Sequence, residues 1–131
     1  MRFGYTILYV RDVAASVAFY EQAFGLARRF VHDSGTYAEM ETGATTLAFA
    51  SEGLAEANGL AIRSNTLRDP AAGFELGLVS DDPAAGYARA IAAGATAVVP
   101  VKEKPWGQKV GYVRDLDGCL VEICSPMGGN G

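Results

Sequence analysis

Apolar and polar residues alternate along this chain in an order that predicts strand, helix and then three strands. Residues 5–10 are apolar and rich in β-branched or aromatic side chains, and apolar residues then recur at helical spacing from Val13 to Phe24. Asp12 is placed to cap this helix and Gly25 to end it. Three further strands are predicted, separated by turn-forming residues, at 27–32, 37–41 and 45–50.

The second half of the chain repeats this order. Residues 51–72 have little strand signal and are interpreted as a linker. A strand is then predicted at 74–79, and Asp82 and Pro83 begin a helix that stops before Gly94. Three more strands are predicted at 97–101, 109–114 and 120–124. We therefore predict a single domain over residues 1–131, with module 1 at about 3–50, a linker at about 51–72 and module 2 at about 73–126.

The repeat aligns individual positions of the two modules. A shift of seventy residues places Tyr5 on Glu75, and a shift of seventy-five places Leu47 on Glu122. Repeated units are the sequence signature of a duplicated architecture, and equivalent positions in such units tend to serve one site. We expect these four positions to mark it.

Composition and charge exclude several classes of partner. The chain has 131 residues, 50% of them hydrophobic, which is enough for one buried core. A net charge of −4 and a pI of 4.9 provide no basic surface for nucleic acid. No apolar run approaches the roughly twenty residues of a membrane span, and residues 1–5 lack a signal-peptide core. We expect a cytoplasmic protein without membrane or nucleic-acid partners.

The two cysteines are interpreted as small buried thiols. Cys119 and Cys124 are separated by an odd number of residues, so in one strand they face opposite ways and cannot pair. The alternative is a nucleophilic Cys124. That role needs a base, and nothing in the sequence places the single histidine, His32, near it.

Two groups of short motifs resemble the vicinal oxygen chelate superfamily, which includes glyoxalase I, extradiol dioxygenases, fosfomycin-resistance transferases and bleomycin-binding resistance proteins. The resemblance covers about residues 3–126. It implies an α+β fold in which paired βαβββ modules form curved mixed sheets around a concave ligand cavity, and it implies a homodimer. The motifs are Val10-Arg11-Asp12, Ser16, Phe19-Tyr20 and Gly25-Leu26 in the first half, and Val113-Arg114-Asp115-Leu116-Asp117-Gly118 and Val121-Glu122-Ile123 in the second.

In the metal enzymes of that superfamily each module supplies one ligand from its first strand and one from its last. The resemblance carries these places onto Tyr5, Leu47, Glu75 and Glu122. Leu47 cannot bind a metal, and the phenol of Tyr5 must first lose a proton. We therefore expect no metal cofactor. The alternative is a hard divalent ion bound weakly by Glu75 and Glu122.

Strand parity predicts an aromatic and apolar ligand site. We expect one concave side to carry Tyr5, Tyr9, Leu47, Phe49 and Glu122. Such a lining suits a flat or hydrophobic small molecule oriented by one or two polar groups. Trp106, within Pro105-Trp106-Gly107, resembles the tryptophan that borders the drug groove of bleomycin-binding proteins and is a candidate stacking surface. Its alternative role is to plug the end of the fold.

These observations favour metal-independent binding of a small aromatic or amphipathic molecule, as in bleomycin-resistance-like sequestration. The runner-up is a divalent-metal-dependent, glyoxalase-like lyase or isomerase with a degenerate metal site. In that hypothesis Glu122 and Glu75 are the catalytic candidates, because a carboxylate can bind an ion or move a proton next to a carbonyl. A third hypothesis is a vestigial pocket in a protein that pairs with another polypeptide.

Overall fold

Each half of the chain builds one four-stranded mixed sheet and packs a long helix against it. The computed structural model describes residues 1–128. Unit 1 spans Met1–Asn65 and contains β1 (Tyr5–Val10), α1 (Val13–Phe24), β2 (Ala27–Val31), β3 (Tyr37–Glu41), β4 (Thr46–Ser51) and α2 (Glu52–Ala57). Unit 2 begins at Thr66 and contains β5 (Glu75–Val79), α3 (Pro83–Ala92), β6 (Thr96–Glu103), β7 (Lys109–Arg114) and β8 (Leu120–Cys124).

The two sheets have the same topology. The strand order is β1-β4-β3-β2 in unit 1 and β5-β8-β7-β6 in unit 2. In each sheet the first and last strands run parallel, and the other neighbours are antiparallel. The helix between the first two strands makes the crossover that a parallel pair requires. The predicted α+β class with βαβββ modules is confirmed.

The helix ends follow from their capping residues. Asp12 accepts a hydrogen bond from the Ala15 amide at 3.0 Å, and Asp82 does the same for Ala85 at 3.2 Å. Gly25 ends α1 with a φ of 69°, which glycine adopts without strain. Helix α2 occupies the start of the predicted linker, and Ser51 caps it by accepting from the Leu54 amide at 3.2 Å.

The core of unit 1 lies between α1 and one face of its sheet. The Phe49 side chain is 0% exposed, and its ring packs 4.9 Å from that of Tyr20 on α1. Leu8 is the register partner of Phe49 on the neighbouring strand and is also buried. Residues paired across a sheet share a face. Leu47, two residues before Phe49, is therefore on this helix-facing side too.

This arrangement corrects the predicted parity of β4. Tyr5, Ile7 and Tyr9 pair with Thr46, Ala48 and Ala50, so they occupy the face opposite α1. The prediction that Leu47 and Phe49 share a ligand site with Tyr5 and Tyr9 is wrong. Ile7 and Gly77 are equivalent, and they pair with Ala48 and Glu122, respectively. Ala48, and not Leu47, is therefore the unit 1 equivalent of Glu122. The last strands of the two units are related by a shift of seventy-four residues.

Small residues let α3 approach its sheet closely in unit 2. A Cβ at Gly86 would lie 3.4 Å from Cγ2 of Ile123, and one at Gly111 would lie 3.1 Å from Cδ2 of Tyr87. Ile123 and Gly111 are register partners and define the helix-facing side of this sheet. Glu122 lies between Val121 and Ile123 in sequence and therefore faces the other way.

One arginine fixes the start of unit 2 to its last turn. Arg114 donates hydrogen bonds to the carbonyl oxygens of Gly118 at 2.8 Å, Asp69 at 2.8 Å and Thr66 at 3.1 Å. A cation that satisfies several carbonyls at once orders a segment with little secondary structure of its own.

Within residues 1–128, no helix is both long and apolar enough to cross a membrane.

Candidate functional site

Each sheet packs its long helix against one face, and the other face is its open face. On the open face of unit 2, Glu75 pairs with Leu120, and Gly77 pairs with Glu122. Tyr112 lies on the other side of Glu122, and its hydroxyl donates to Oε1 of Glu122 at 3.1 Å. The two glutamates predicted as site residues are thus on one face of adjacent strands, with a tyrosine orienting one of them.

No ion pair neutralises this carboxylate pair within the described part of the chain, because Arg114, which is on the same face, donates to carbonyl oxygens instead. Over residues 1–128, neither Glu75 nor Glu122 forms an ion pair. Burial and then the charge of Glu122 raise the pKa of Glu75. Burial and then the hydrogen bond to Glu122 raise the pKa of Tyr112, which therefore stays a donor at neutral pH. The pair favours a proton or a cation.

Gly77 leaves space beside these carboxylates. A Cβ added there would lie 3.8 Å from Oε2 of Glu122 and would meet no other non-neighbouring atom of the described residues within 4 Å. That is ordinary van der Waals separation, so the glycine is not required by crowding. The gap is bordered by Glu75 and Val79, which lie two residues to either side on the same face.

Neither cysteine is activated as a nucleophile. The thiols form no disulfide, and both are buried. Burial raises the pKa of Cys124 to about 11 and that of Cys119 to about 12, the direction opposite to that of a reactive thiolate. The interpretation of two buried thiols is confirmed. His32 is on the turn after β2, where its Nδ1 is hydrogen-bonded to the Ser34 hydroxyl at 2.8 Å.

The open face of unit 1 carries a charged network that sequence reasoning missed. Arg29 donates to both oxygens of Glu41 at 2.9 and 3.0 Å, to Oε1 of Glu39 at 2.9 Å and to the Thr46 hydroxyl at 3.1 Å. Tyr37 donates to Oε2 of Glu39 at 2.8 Å. The Arg29 guanidinium lowers the pKa of Glu41, and burial followed by the bond to Glu39 raises the pKa of Tyr37 to about 12.

A sequence signal for this network existed. Tyr37, Glu39 and Glu41 alternate along β3, which places all three on one face. Tyr5 and Tyr9, the predicted ligand residues of unit 1, are on this same open face. Tyr5 is 56% exposed and pairs with Thr46, a member of the network. Two of the predicted aromatic residues, Tyr5 and Tyr9, therefore share this face with the ion-paired network, whereas Phe49 does not.

Trp106 is on the hairpin between β6 and β7. Its side chain is 62% exposed, which does not fit a plug buried within the chain. The indole Nε1 donates to Gln108 Oε1 at 2.9 Å, and Gln108 Nε2 donates to the Ser125 carbonyl at 2.9 Å. Ser125 follows Glu122 by three residues, or about 10 Å along an extended strand. An exposed, oriented indole can stack on a flat ligand.

The residues present do not fit a tight transition-metal site. Such sites usually need three or four protein donors, including imidazole or thiolate. The open face of unit 2 offers two carboxylates, and one oxygen of Glu122 already accepts from Tyr112. No group of three or more metal-binding side chains comes together within residues 1–128. With the corrected register, the remaining two family positions hold Tyr5 and Ala48, and Ala48 has no donor.

A family model decides the identity of this fold. The glyoxalase-like domain model matches residues 3–128. The chain belongs to the glyoxalase-like domain family. This places it in the vicinal oxygen chelate superfamily, so the resemblance seen in the sequence motifs is confirmed. No curated protein matches the chain.

Solved structures share the fold over nearly the whole length. A glyoxalase-related enzyme from Fulvimarina pelagi is 26% identical, with a TM-score of 0.81, and the match covers 96% of this chain and 88% of that one. A glyoxalase/bleomycin resistance protein/dioxygenase family enzyme from Burkholderia phytofirmans PsJN is 24% identical, with a TM-score of 0.79 and coverage of 93% and 96%. TioX from Micromonospora sp. ML1 is 22% identical, with a TM-score of 0.72 and coverage of 95% and 98%.

Membership in the glyoxalase-like family fixes the fold but not the reaction, because function depends on the site that a fold carries. In this chain the distinguishing features are Glu75 and Glu122, which form no ion pair among the described residues, the tyrosine that donates a hydrogen bond to Glu122, and the gap at Gly77.

Proposed function

We propose that this glyoxalase-like protein binds a small aromatic or amphipathic molecule that carries a positive charge, without a metal. This is sequestration of the kind implied by the bleomycin-resistance branch of the superfamily. The observation that carries the proposal is the difference in ion pairing between the open faces. Arg29 forms ion pairs with both Glu39 and Glu41 in unit 1. On the open face of unit 2, Arg114 donates to carbonyl oxygens instead, and neither Glu75 nor Glu122 forms an ion pair among the described residues.

The neighbours of the pair support a ligand with both charge and apolar surface. Leu120 and Val79 share the open face with the carboxylates, and Val79 is well exposed. A charged group held by carboxylates, with an attached ring covering apolar side chains, gains from burial as well as from charge. Small-molecule sites commonly combine a largely apolar lining with a few oriented polar groups.

The proposal is tested by substitution at Glu122 with matched ligands. Isothermal calorimetry, with chelator present, compares cationic aromatic amines with neutral molecules of the same shape. Glu122→Gln should weaken the cations by about 1.5–3 kcal/mol, typical of a hydrogen bond to a charged group, and leave neutral ligands nearly unchanged. Glu56→Gln, at an exposed position on α2, is the control and should change neither. Cations that bind equally well to both variants would contradict the proposal.

A second candidate, a metal-assisted lyase or isomerase, is favoured by one observation. Burial and Glu122 raise the pKa of Glu75, and a carboxylate with a raised pKa is a better base near neutral pH. Metal analysis of protein purified without chelator separates the two functions. We expect no stoichiometric transition metal. One nickel, zinc or iron bound tightly per chain, with turnover of a carbonyl substrate, would favour the enzyme.

A further inference from the structure

We propose that Arg114 switches between two sets of acceptors on the open face of unit 2, the backbone carbonyls of residues 66–69 and the carboxylate of Glu122. Residues 66–69, which precede β5, are called the strap. While the strap is seated, Arg114 binds its carbonyls and leaves Glu122 without an ion pair among the described residues. When the strap lifts, the guanidinium turns to Glu122 and closes that carboxylate to any other cation. Both positions follow from the fold of unit 2 alone, so the switch needs no bound ligand.

The strap depends on Arg114 for its position. Arg114 donates hydrogen bonds to the carbonyl oxygens of Asp69 at 2.8 Å, Thr66 at 3.1 Å and Leu67 at 3.5 Å. Within the strap, the amides of Arg68 and Asp69 donate to Oγ1 and the carbonyl oxygen of Thr66, both at the longer distance of 3.3 Å. Leu67 is the only aliphatic residue of the strap and is 42% exposed, so burial of apolar surface contributes little. Loss of the Arg114 hydrogen bonds should therefore free the strap.

Glu122 is within reach of the same guanidinium. Strands β7 and β8 are antiparallel, with Arg114 opposite Leu120 and Tyr112 opposite Glu122. Alternate residues of a strand share a face, so Arg114 and Glu122 are diagonal neighbours on the open face. Such neighbours lie about 7–8 Å apart, a distance that a long side chain can span. They nevertheless form no ion pair within residues 1–128, because the guanidinium donates to the strap and to Gly118 instead.

The turn after β7 has no side chain at the place where the strap and the guanidinium meet. Gly118 has a φ of 95°, and its carbonyl oxygen accepts from Nε of Arg114 at 2.8 Å. A Cβ at this position would lie 2.7 Å from Nη2 of Arg114 and 3.0 Å from the carbonyl carbon and oxygen of Thr66. The end of a flexible side chain moves more easily than the backbone, so the guanidinium would give way first. A side chain at Gly118 should therefore separate Arg114 from the strap.

The two sets of acceptors differ in their response to salt. An ion pair between Arg114 and Glu122 would be exposed to water, and such pairs are weak and screened by dissolved ions. The strap carbonyls carry no net charge, so their hydrogen bonds to the guanidinium depend less on ionic strength. High salt should therefore favour the seated strap, and so should removal of the Glu122 charge.

Trypsin cleavage after Arg68, an exposed residue of the strap, measures how often the strap lifts. Rates are normalised to a short peptide substrate, and cleavage after Arg89, within α3, reports global unfolding. Gly118→Ala should speed cleavage after Arg68 at least about tenfold, because it displaces the guanidinium that holds the strap. Gly43→Ala is the matched control, since Gly43 has a φ of 90° but open space around its Cβ, and should change the rate less than about twofold. Equal rates in the two variants would overturn the role of Arg114.

Substitution at Glu122 tests the second position of the guanidinium. Glu122→Gln should slow cleavage after Arg68 at least about threefold, both in the unaltered chain and in Gly118→Ala, because the lifted state loses its ion pair. Raising sodium chloride from about 0.02 to about 0.5 M should slow cleavage too, but only in chains that keep Glu122. Arg114→Gln should be cleaved fast, and there Glu122→Gln should have no effect, since no guanidinium remains to move. Cleavage that depends on neither Glu122 nor salt would overturn the switch.

Discussion

At the scale of single residues, the Glu75 carboxylate changes the free energy of unfolding by an amount that depends on pH. Its pKa is raised in the folded chain, so the charged form is less favourable there than in the unfolded chain. The contribution of Glu75 to the free energy of unfolding favours the folded chain when the pH is below the ordinary carboxyl pKa of 4.5. This contribution is lost as the pH rises through the raised pKa of Glu75 in the folded chain. At neutral pH the Glu75 carboxylate therefore opposes folding. Because the side chain is partly in water, salt screens this effect and keeps it small.

Glu75→Gln should therefore raise the melting temperature at pH 7, and the difference should vanish near about pH 4, where both chains are uncharged at this position. Thermal unfolding at several pH values measures it. The change should be larger at low ionic strength, because screening is then weaker. A glutamine variant that melts lower than the unaltered protein at pH 7 would show that the charge is stabilised in the fold.

The corrected face of β4 gives a second prediction at this scale. Phe49→Ala should cost about 3–5 kcal/mol of unfolding free energy, because it opens a cavity against Tyr20 in the core. Tyr5→Ala should change it by only about 0.5 kcal/mol, since this side chain is mostly exposed on the opposite face. Urea unfolding of both variants measures the contrast. Equal losses would contradict the assignment of these residues to different faces.

The residues that were predicted wrongly share one physical cause. All five residues from Thr46 to Ala50 are buried, so β4 shows no alternation that would reveal which side chains face the helix. A slip of one residue then moves every side chain to the other face. The face of Glu122 was predicted correctly, because the parity of β8 does not depend on that slip. The roles of Arg29, Glu39 and Tyr112 were missed because no sequence pattern indicates which charged residues and tyrosines will pair when they lie far apart along the chain.

At the scale of elements, the hairpin between β6 and β7 holds an aromatic surface at a defined place. Hydrogen bonds from Trp106 to Gln108 and from Gln108 to Ser125 tie this hairpin to the end of β8. Lys109 reinforces the same junction, since its amide donates to the Ser125 hydroxyl at 2.9 Å. The indole is thus held near the strand that carries Glu122 without being buried.

Trp106→Ala should weaken binding of a flat cationic ligand by about 1–3 kcal/mol through lost stacking and apolar contact. Fold stability should change little, because the side chain is mostly exposed. Trp106→Phe keeps an aromatic surface and should retain most of the affinity. Calorimetry measures all three chains, since Trp106 is the only tryptophan and its loss removes the fluorescence signal. Unchanged affinity in the alanine variant would remove Trp106 from the site.

The helices and strands with a clear period of hydrophobic residues were predicted from the sequence, whereas the short helix α2 was not. Both long helices and all eight strands occur where the pattern placed them, with ends that differ by one or two residues, as helix and strand ends commonly do. Helix α2 is six residues long, too short to show a helical period, and was read as linker. The capping serine at position 51 was the available signal.

At the scale of the whole molecule, the two units share a sheet topology but differ in how the charged side chains of their open faces are paired. The strand order, the parallel pair and the bulge recur in both units. On one open face the guanidinium of Arg29 pairs with two carboxylates, and on the other the guanidinium of Arg114 binds carbonyl oxygens and leaves Glu75 and Glu122 without an ion pair among the described residues. The two faces therefore differ at several positions, since Tyr112 and Arg114 of unit 2 occupy the places of Glu39 and Glu41 of unit 1.

The exposed apolar side chains predict that the protein is a homodimer at micromolar concentration. Tyr5, Ile7 and Phe30 are exposed in unit 1, and Val79 is 67% exposed in unit 2. A large exposed apolar surface usually marks a place where something else binds, and a second copy is the partner that the family resemblance implies. Light scattering over a concentration series should report two chains. Val79→Glu should shift the equilibrium toward monomer, whereas Ile62→Glu, on the exposed segment after α2, should not. A monomer throughout the series would contradict the prediction, and the apolar surface would then belong to the ligand alone.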